Sequence, residues 1–431
     1  MKILFLCHAH PSLQAGGTEI FALDLFRTLR AKPGITGVFI AGTSATQRPA
    51  SPGTPFQVPD SGAADEVLLW TGGFDPFFMS QTDVYGVIPA LSALVAELQP
   101  DIIHIHHLMT LGVEIVALLR RVAPRARIVM TLHDYYPICA NDGQMVTTDG
   151  ALCHTASPDR CRGCFADRAL SDFRMRHLHL GSALRQVDHF ISPSHFLRER
   201  FLGGPFPSWG ISADRITTLR NGTGEVPVAP HRFSADGRRD HFGFFGHINR
   251  FKGATVALDA SARLTRAGVS HTLTLHGSTA YQTPAVQEAF AAGLAAAPDA
   301  RHAGPYSRAD LVRRMSAVDW VVVPSIWWEN APLVIAEAHR QRRPVICGDV
   351  GGMAEMVRDG VDGLHAAIGD AGAFAQVMRR AIEQPEIWEY LVAGITPPIT
   401  ISESAEAHLS LYSEMTTAPQ ALERVLRGFC A

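Results

Sequence analysis

The chain has 431 residues, with 38 Lys and Arg against 41 Asp and Glu, and its formal net charge of −3 gives no basic field for nucleic acid. At 47% hydrophobic and 18% charged residues it can bury a large core, which excludes collagen-like and wholly disordered chains. Seven cysteines over this length argue against a secreted disulfide scaffold.

The opening Met1-Lys2-Ile3-Leu4-Phe5-Leu6 runs straight into His8 and His10 and reads as a first buried strand, not a signal peptide. No run of 18 apolar residues marks a transmembrane helix, so a cytoplasmic protein is expected. Further strands are predicted at 38–41, 66–70, 102–105, 128–132 and 190–192, then at 242–246, 272–276, 320–324 and 345–347. Runs such as Asp319-Trp320-Val321-Val322-Val323 are apolar on both faces, as in parallel strands covered by helices on each side. Alternating strands and helical patterns predict doubly wound α/β architecture. Residues 42–64, rich in Gly, Pro, Ser and Thr, read as a long loop, and 224–240 read as an interdomain linker. The expected division is a first domain at 1–223, a second at 241–402, and a C-terminal helix at 403–431 that packs back on the first domain.

Three motifs carry chemistry. After the first strand, Gln14-Ala15-Gly16-Gly17-Thr18-Glu19 opens an amphipathic helix, which makes either an anion site or a tight strand-to-helix turn. It lacks the third glycine of G-x-G-x-x-G, and no acidic residue ends the second strand, so a dinucleotide fingerprint is disfavoured. The second motif, Phe244-Phe245-Gly246-His247-Ile248-Asn249-Arg250-Phe251-Lys252-Gly253, sets Arg250 and Lys252 ahead of a helix. They suit a diphosphate leaving group or are solvated surface cations. In the third, a buried strand ends at Pro324, a loop carries Glu329, and Glu337 falls among Leu333, Val334, Ile335 and Ala338. That is an expensive place for an idle carboxylate.

This arrangement resembles the E-x7-E signature of retaining GT-B glycosyltransferases, in particular glycosyltransferase family 4. Gly16-Gly17-Thr18-Glu19, Leu132-His133-Asp134, Asn221-Gly222, Gly246 to Lys252-Gly253, Glu329 to Glu337, Pro344-Val345-Ile346 and Gly351-Gly352 to Glu355 follow in the family's order. The resemblance implies two Rossmann-like domains facing across a cleft. It also implies a hexosyltransferase-type reaction from a UDP- or GDP-linked sugar to a saccharide or lipid-linked oligosaccharide, in bacterial surface polysaccharide biosynthesis. By it, Glu337 holds the ribose, Glu329 contacts the donor sugar, and Lys252 with Arg250 neutralises the diphosphate. Asn330-Ala331-Pro332-Leu333 and Gly16-Gly17 line the same region, His133 lies by the reaction centre, and Gly277 and Tyr306 lie near the base. His247 stands where the family usually has Arg, so either Arg250 substitutes for that arginine or His247 serves as a weaker, pH-dependent donor. Arg343 replaces a family glycine and reads as surface variation. No D-x-D triplet occurs, so no catalytic metal is expected. An epimerase on the same fold and a non-catalytic nucleotide-sugar scaffold are the rival readings.

Cys139, Cys153, Cys161 and Cys164 lie in one polar loop directly after His133-Asp134-Tyr135-Tyr136-Pro137, which resembles a cysteine-rich loop of some family members. The spacing C-x13-C-x7-C-x2-C suits a structural zinc, with His154 as an alternative ligand; free thiols and an iron–sulfur cluster are the other readings. Cys7 and Cys347 read as buried strand residues. Arg168, Arg174, Arg176, Arg185, Arg198 and Arg200 mix with Phe173, Phe201, Phe206 and Trp209. The mixture suits a peripheral contact with the inner face of a membrane, but a solvated helix face is favoured.

Overall fold

The computed structural model describes residues 1–83, 86–207, 209–231, 236–280 and 282–417. They form two α/β units, one of Met1–Gly222 with the chain from Thr400, the other of Thr223–Ile399.

The strands of the first unit are β1 (Lys2–Cys7), β2 (Thr36–Thr43), β3 (Phe56–Gln57), β4 (Glu66–Trp70), β5 (Phe74–Asp75), β6 (Ser80–Gln81), β7 (Ile102–Ile105), β8 (Arg127–Thr131), β9 (His189–Ser192) and β10 (Ile216–Thr218). β5 and β6 pair as a separate hairpin. The other eight form a sheet in the order β10-β9-β8-β7-β1-β2-β4-β3, parallel except where β3 meets β4. β1 is central because its side chains are apolar on both faces: Phe5 sits in register with Phe39 of β2 and His104 of β7. The helix Gly17–Arg30 buries Phe21, Leu25 and Leu29, four residues apart, against this sheet. Ala405 and Tyr412 of the helix Ile401–Thr417 join the same core. The remainder of the expected C-terminal helix lies outside the described residues. Region 42–64 is more ordered than its composition suggests, since Phe56 pairs with Leu69 and Arg48 Nη1 donates to the Val58 carbonyl at 2.9 Å.

In the second unit β11 (His241–Phe245), β12 (Thr272–His276), β13 (Ala300–His302), β14 (Trp320–Val323), β15 (Val345–Gly348) and β16 (Gly363–Ala366) form an all-parallel sheet. Its order is β13-β12-β11-β14-β15-β16. The neighbours of β11 follow it in opposite directions, so its C-terminal end borders a topological switch point, as does that of β1 in the first unit.

Two expectations are corrected here. Residues 224–240 belong to the second unit: Ala229 N donates to Gln341 Oε1 at 2.9 Å, and Trp320 Nε1 donates to the Arg239 carbonyl at 2.9 Å. Arg343 is no surface residue. It is 0% exposed, and its guanidinium donates to the carbonyls of Met315, Val318, Gln341, Pro230 and Ser316 at 2.8–3.4 Å. A planar fork with five donors satisfies carbonyls from three segments at once, which a glycine cannot do. Arg343→Gly should therefore destabilise the protein by on the order of 3 kcal/mol, since each stranded buried carbonyl costs about 1–3 kcal/mol. Arg313→Ala, on an exposed helix face, should stay within about 0.5 kcal/mol of the parent. Urea midpoints measure both, and an unchanged midpoint for Arg343→Gly would contradict the role assigned to it.

Candidate functional site

The first unit gathers imidazoles at three adjacent strand ends. His8 follows β1, His106 and His107 follow β7, and His133 with Asp134 follows β8. His8 Nε2 meets Glu19 Oε1 at 2.9 Å, and His107 Nε2 meets Asp134 Oδ2 at 2.7 Å. Beside these two pairs, His106 Nδ1 and His133 Nε2 stand 3.0 Å apart. Glu19 folds back over its own helix start: a Cβ on Gly16 would lie 2.5 Å from Glu19 Oε2. Gly16 is the N-cap of that helix and caps it with no side chain.

The four imidazoles divide electrostatically. Burial opposes a charge on His8, but its bonds to Cys7 and Glu19 outweigh burial and bring its pKa to about 9. Burial likewise opposes a charge on His107, and the Asp134 carboxylate overcomes it. Among the described residues no carboxylate lies against His106, and burial with the neighbouring imidazoles holds it well below the usual value. Burial and the charge of His107 bring His133 down to about 3. His133 is therefore a neutral imidazole flanked by two ion pairs, able to accept or donate one hydrogen bond. A small cavity is lined by His106, His107, Leu132, His133, Asp134 and Pro137, among others.

The sequence nominated only His133 of this group. The missed signal is positional: histidines stand at or just beyond the C-terminal ends of β1, β7 and β8, and sheet order makes those ends neighbours.

In the second unit the loop after β11 is pinned from two sides. Asn249 Oδ1 accepts from the amides of Phe251 and Lys252, each at 2.9 Å, and Ile326 N donates to the Phe251 carbonyl at 2.8 Å. Gly253 has φ 71°, and a Cβ there would come within 1.9 Å of the Pro324 carbonyl oxygen. Only glycine lets the two loops approach this closely. Their approach brings Lys252 Nζ to 2.6 Å from Glu329 Oε1, which also accepts from Ser325 Oγ at 2.7 Å. The Glu329 side chain is 4% exposed and that of Lys252 32%, so the cation is the accessible member of the pair. Lys252 Nζ also lies 5.5 Å from the centre of the Trp327 ring.

The neighbouring strand ends add backbone. Gly352 N donates to the Glu329 carbonyl at 2.6 Å, and a Cβ on Gly352 would meet the Asn330 carbonyl oxygen at 1.7 Å. The helix containing Glu337 begins at Leu333, so the stretch between the two glutamates is half loop and half helix. No side chain caps this helix, and Pro332 brings no N–H, so among 330–333 only Asn330, Ala331 and Leu333 carry an amide proton. Glu337 is half-buried, and burial together with its charge pushes the Tyr306 phenol upward. Gly277 N donates to the Gly304 carbonyl at 3.0 Å, and a Cβ on Gly277 would lie 1.9 Å from the Gly246 carbonyl oxygen. His247 and Arg250 are exposed on the same loop as Lys252, with Arg250 over the Phe251 ring at 4.8 Å. The structure thus brings Lys252 and Glu329 into contact and sets Tyr306 by Glu337.

The cysteine loop is ordered by its backbone. Cys139 N donates to the Tyr135 carbonyl at 2.7 Å and Cys153 N to the Met145 carbonyl at 2.8 Å, while Cys161 lies in the short helix Pro158–Arg162. All four thiols are half-buried and unpaired with one another. Burial and the other three cysteines push Cys153 up to about 11. Among the described residues, the metal-ligating groups with three atoms mutually within 4.8 Å come down to Asp240, His241 and Asp319, not the cysteines. Those carboxylates already meet arginines, Asp240 with Arg238 at 2.8 Å and Asp319 with Arg239 at 3.6 Å. Cys7 and Cys347 are buried in their strands.

Two parallel α/β units with glycine-lined strand ends define the two-domain class of the GT-B glycosyltransferases. The chain belongs to that class: residues 15–223 match the family described as Glycosyltransferase Family 4, and residues 239–384 match Glycosyl transferases group 1. A D-inositol 3-phosphate glycosyltransferase of Thermobifida fusca is 31% identical over 202 residues, covering 43% of this chain and 46% of that protein. The chain thus spans less than half the length of that relative. A glycogen synthase of Mycobacterium tuberculosis is 25% identical over 400 residues, 89% of this chain and 87% of the synthase. Among solved structures, Anabaena HepE in complex with UDP and glucose superposes with a TM-score of 0.67 at 16% identity, covering 96% of this chain and all of that one (100%).

The His8–Glu19 pair makes stability depend on pH. The His8 pKa is raised in the fold, so its contribution is complete below the unfolded value of about 6.5 and is lost as pH rises through about 9. Glu19→Gln removes the partner. The gap in melting temperature between parent and variant should be widest near pH 6 and narrow toward pH 9.5. A gap constant over that range would contradict a charged His8.

Proposed function

We propose that the protein transfers a hexose, with retention, from a UDP- or GDP-linked sugar to a saccharide or lipid-linked oligosaccharide acceptor. The observation that carries this reading is the Lys252–Glu329 pair at the switch point of the second sheet, walled by glycines that admit no side chain. Lys252, oriented by Glu329, meets the donor diphosphate, with Arg250 and His247 on the same loop as further donors. The amides of Asn330, Ala331 and Leu333 and the uncapped helix start at Leu333 add positive potential. Glu337 holds the ribose, and the base lies by Gly277 and Tyr306. Lys252 and Ser325 both bond Glu329 through Oε1, so Oε2 is the oxygen for the donor sugar. Gly16 and Gly17 line the acceptor side, and the neutral His133 hydrogen-bonds a sugar hydroxyl there.

In the step itself, the bond from the anomeric carbon to the diphosphate oxygen breaks and the acceptor oxygen bonds that carbon on the same face. The acceptor proton passes to the departing diphosphate oxygen, whose charge Lys252 stabilises. Charge stabilisation by Lys252, Arg250 and amides needs no bridging metal, in keeping with a chain that has no D-x-D triplet. Exposed Met175 and Leu178 beside Arg174 give the first unit a surface for meeting a membrane-borne acceptor, in surface polysaccharide assembly on the cytoplasmic face. No described helix is long and apolar enough to cross a membrane.

Lys252→Ala should lower turnover by about 10²–10³, the scale for losing one preorganised charge-stabilising group. Glu337→Ala should instead raise the donor KM more than it lowers kcat, because ribose contacts bind ground and transition states alike. Steady-state kinetics with a released-nucleotide assay measure both. Parent-like constants for both variants would overturn the site.

A further inference from the structure

Arg176, on the helix Leu170–Leu184, is 5% exposed. Its guanidinium donates to the carbonyls of Phe77 at 2.7 Å, Pro137 at 2.6 Å and Tyr136. Carbonyls satisfy its protons but not its charge, and among the described residues no carboxylate lies against it. A buried cation without a counter-charge costs several kcal/mol. The carbonyls of Tyr136 and Pro137 that it holds lie directly ahead of Cys139 in the chain. This places an uncompensated positive charge beside a four-cysteine loop.

We propose that Cys139, Cys153, Cys161 and Cys164 bind one zinc ion as a tetrathiolate, and that Arg176 is its buried counter-charge. Binding releases four thiol protons to solvent, and Zn²⁺ with four thiolates carries a net charge of −2 next to the guanidinium. The backbone closes local turns around the four cysteines. The Val146–Leu152 bridge returns Cys153 to Met145, near the turn that Gly143 N closes on the Cys139 carbonyl at 3.1 Å. Cys164 N donates to the Cys161 carbonyl at 3.1 Å, setting the C-x2-C pair in one turn. Since no three of the sulfurs lie within 4.8 Å of one another, a tetrahedron with S–S near ~3.8 Å would draw the loop inward. Four protein thiolates leave no open coordination position, so the ion is structural. Its reach extends to the site: Arg176 grips the carbonyls of Tyr136 and Pro137, and Tyr136 N donates to Asp134 Oδ1 at 2.8 Å.

The test reads metal, not turnover, and so stands apart from the proposed transfer. Full-length protein purified without added metal or chelator should contain near one zinc per chain by elemental analysis. Cobalt exchanged for that zinc should show the sulfur-to-metal charge-transfer band and strong visible bands of a tetrahedral thiolate site. Arg176→Met should weaken zinc at least ~10-fold in competition with a chromophoric chelator, the scale for losing a partner of a metal ligand. Arg176→Lys, which keeps the charge, should hold zinc more tightly than Arg176→Met. Absence of zinc with four titratable thiols in the folded chain, two disulfides, or stoichiometric iron would each overturn the site. Parent-like zinc affinity in Arg176→Met would overturn the counter-charge.

Discussion

The ion pair between Lys252 and Glu329 depends on a backbone contact that tolerates no Cβ. Gly253 in a left-handed conformation against the Pro324 carbonyl brings the loops after β11 and β14 together, and the pair forms where they meet. A lysine tethered at one proton by a nearly buried carboxylate loses rotamer freedom before any ligand arrives. Its remaining protons keep a fixed direction, which is the preorganisation that charge stabilisation requires. The Asn249 turn, the Ser325 hydroxyl and the Gly351-Gly352 helix start all brace that one geometry.

The first unit solves a different electrostatic problem at its own switch point. Four imidazoles crowd adjacent strand ends, and two carboxylates, Glu19 and Asp134, take up the charge of His8 and His107. His106 and His133 are left neutral, so the cluster offers a hydrogen-bonding imidazole without adding a third cation. Below the cluster, His104 is fully buried within β7. Thr131 bonds its Nε2 at 2.7 Å and Tyr412 of the C-terminal helix bonds its Nδ1 at 2.6 Å, so that helix is stitched into the sheet beneath the site.

Much of this is legible in the residues. Two-sided apolar runs such as Val321-Val322-Val323, rich in β-branched residues, read as covered parallel strands, and the long strands fall within a residue or two of their expected ends, with β2 running two residues further at each end. The short edge strands β3, β13 and β16 escape notice because two to four residues hold too little pattern. Arg343 was misread because arginine's burial depends on carbonyls that converge only in three dimensions. Residues 224–240 look like a linker by composition, yet Gln341 and Trp320 supply partners that no local pattern reveals. His8, His106 and His107 lie far apart in sequence, and only sheet order makes them one cluster. Glu329 and Lys252 were legible through their motifs, whereas their contact required the fold.

The central claim is that the second unit holds a nucleoside diphosphate through Lys252. Calorimetric titration of the full chain with UDP and with GDP, each with and without a metal chelator, tests it most directly. One nucleotide should bind one-to-one with the same affinity in both conditions, and Lys252→Met should weaken it at least ~10-fold, the size of one charge-assisted contact. Binding of neither nucleotide, binding abolished by the chelator, or unchanged affinity in Lys252→Met would contradict the account.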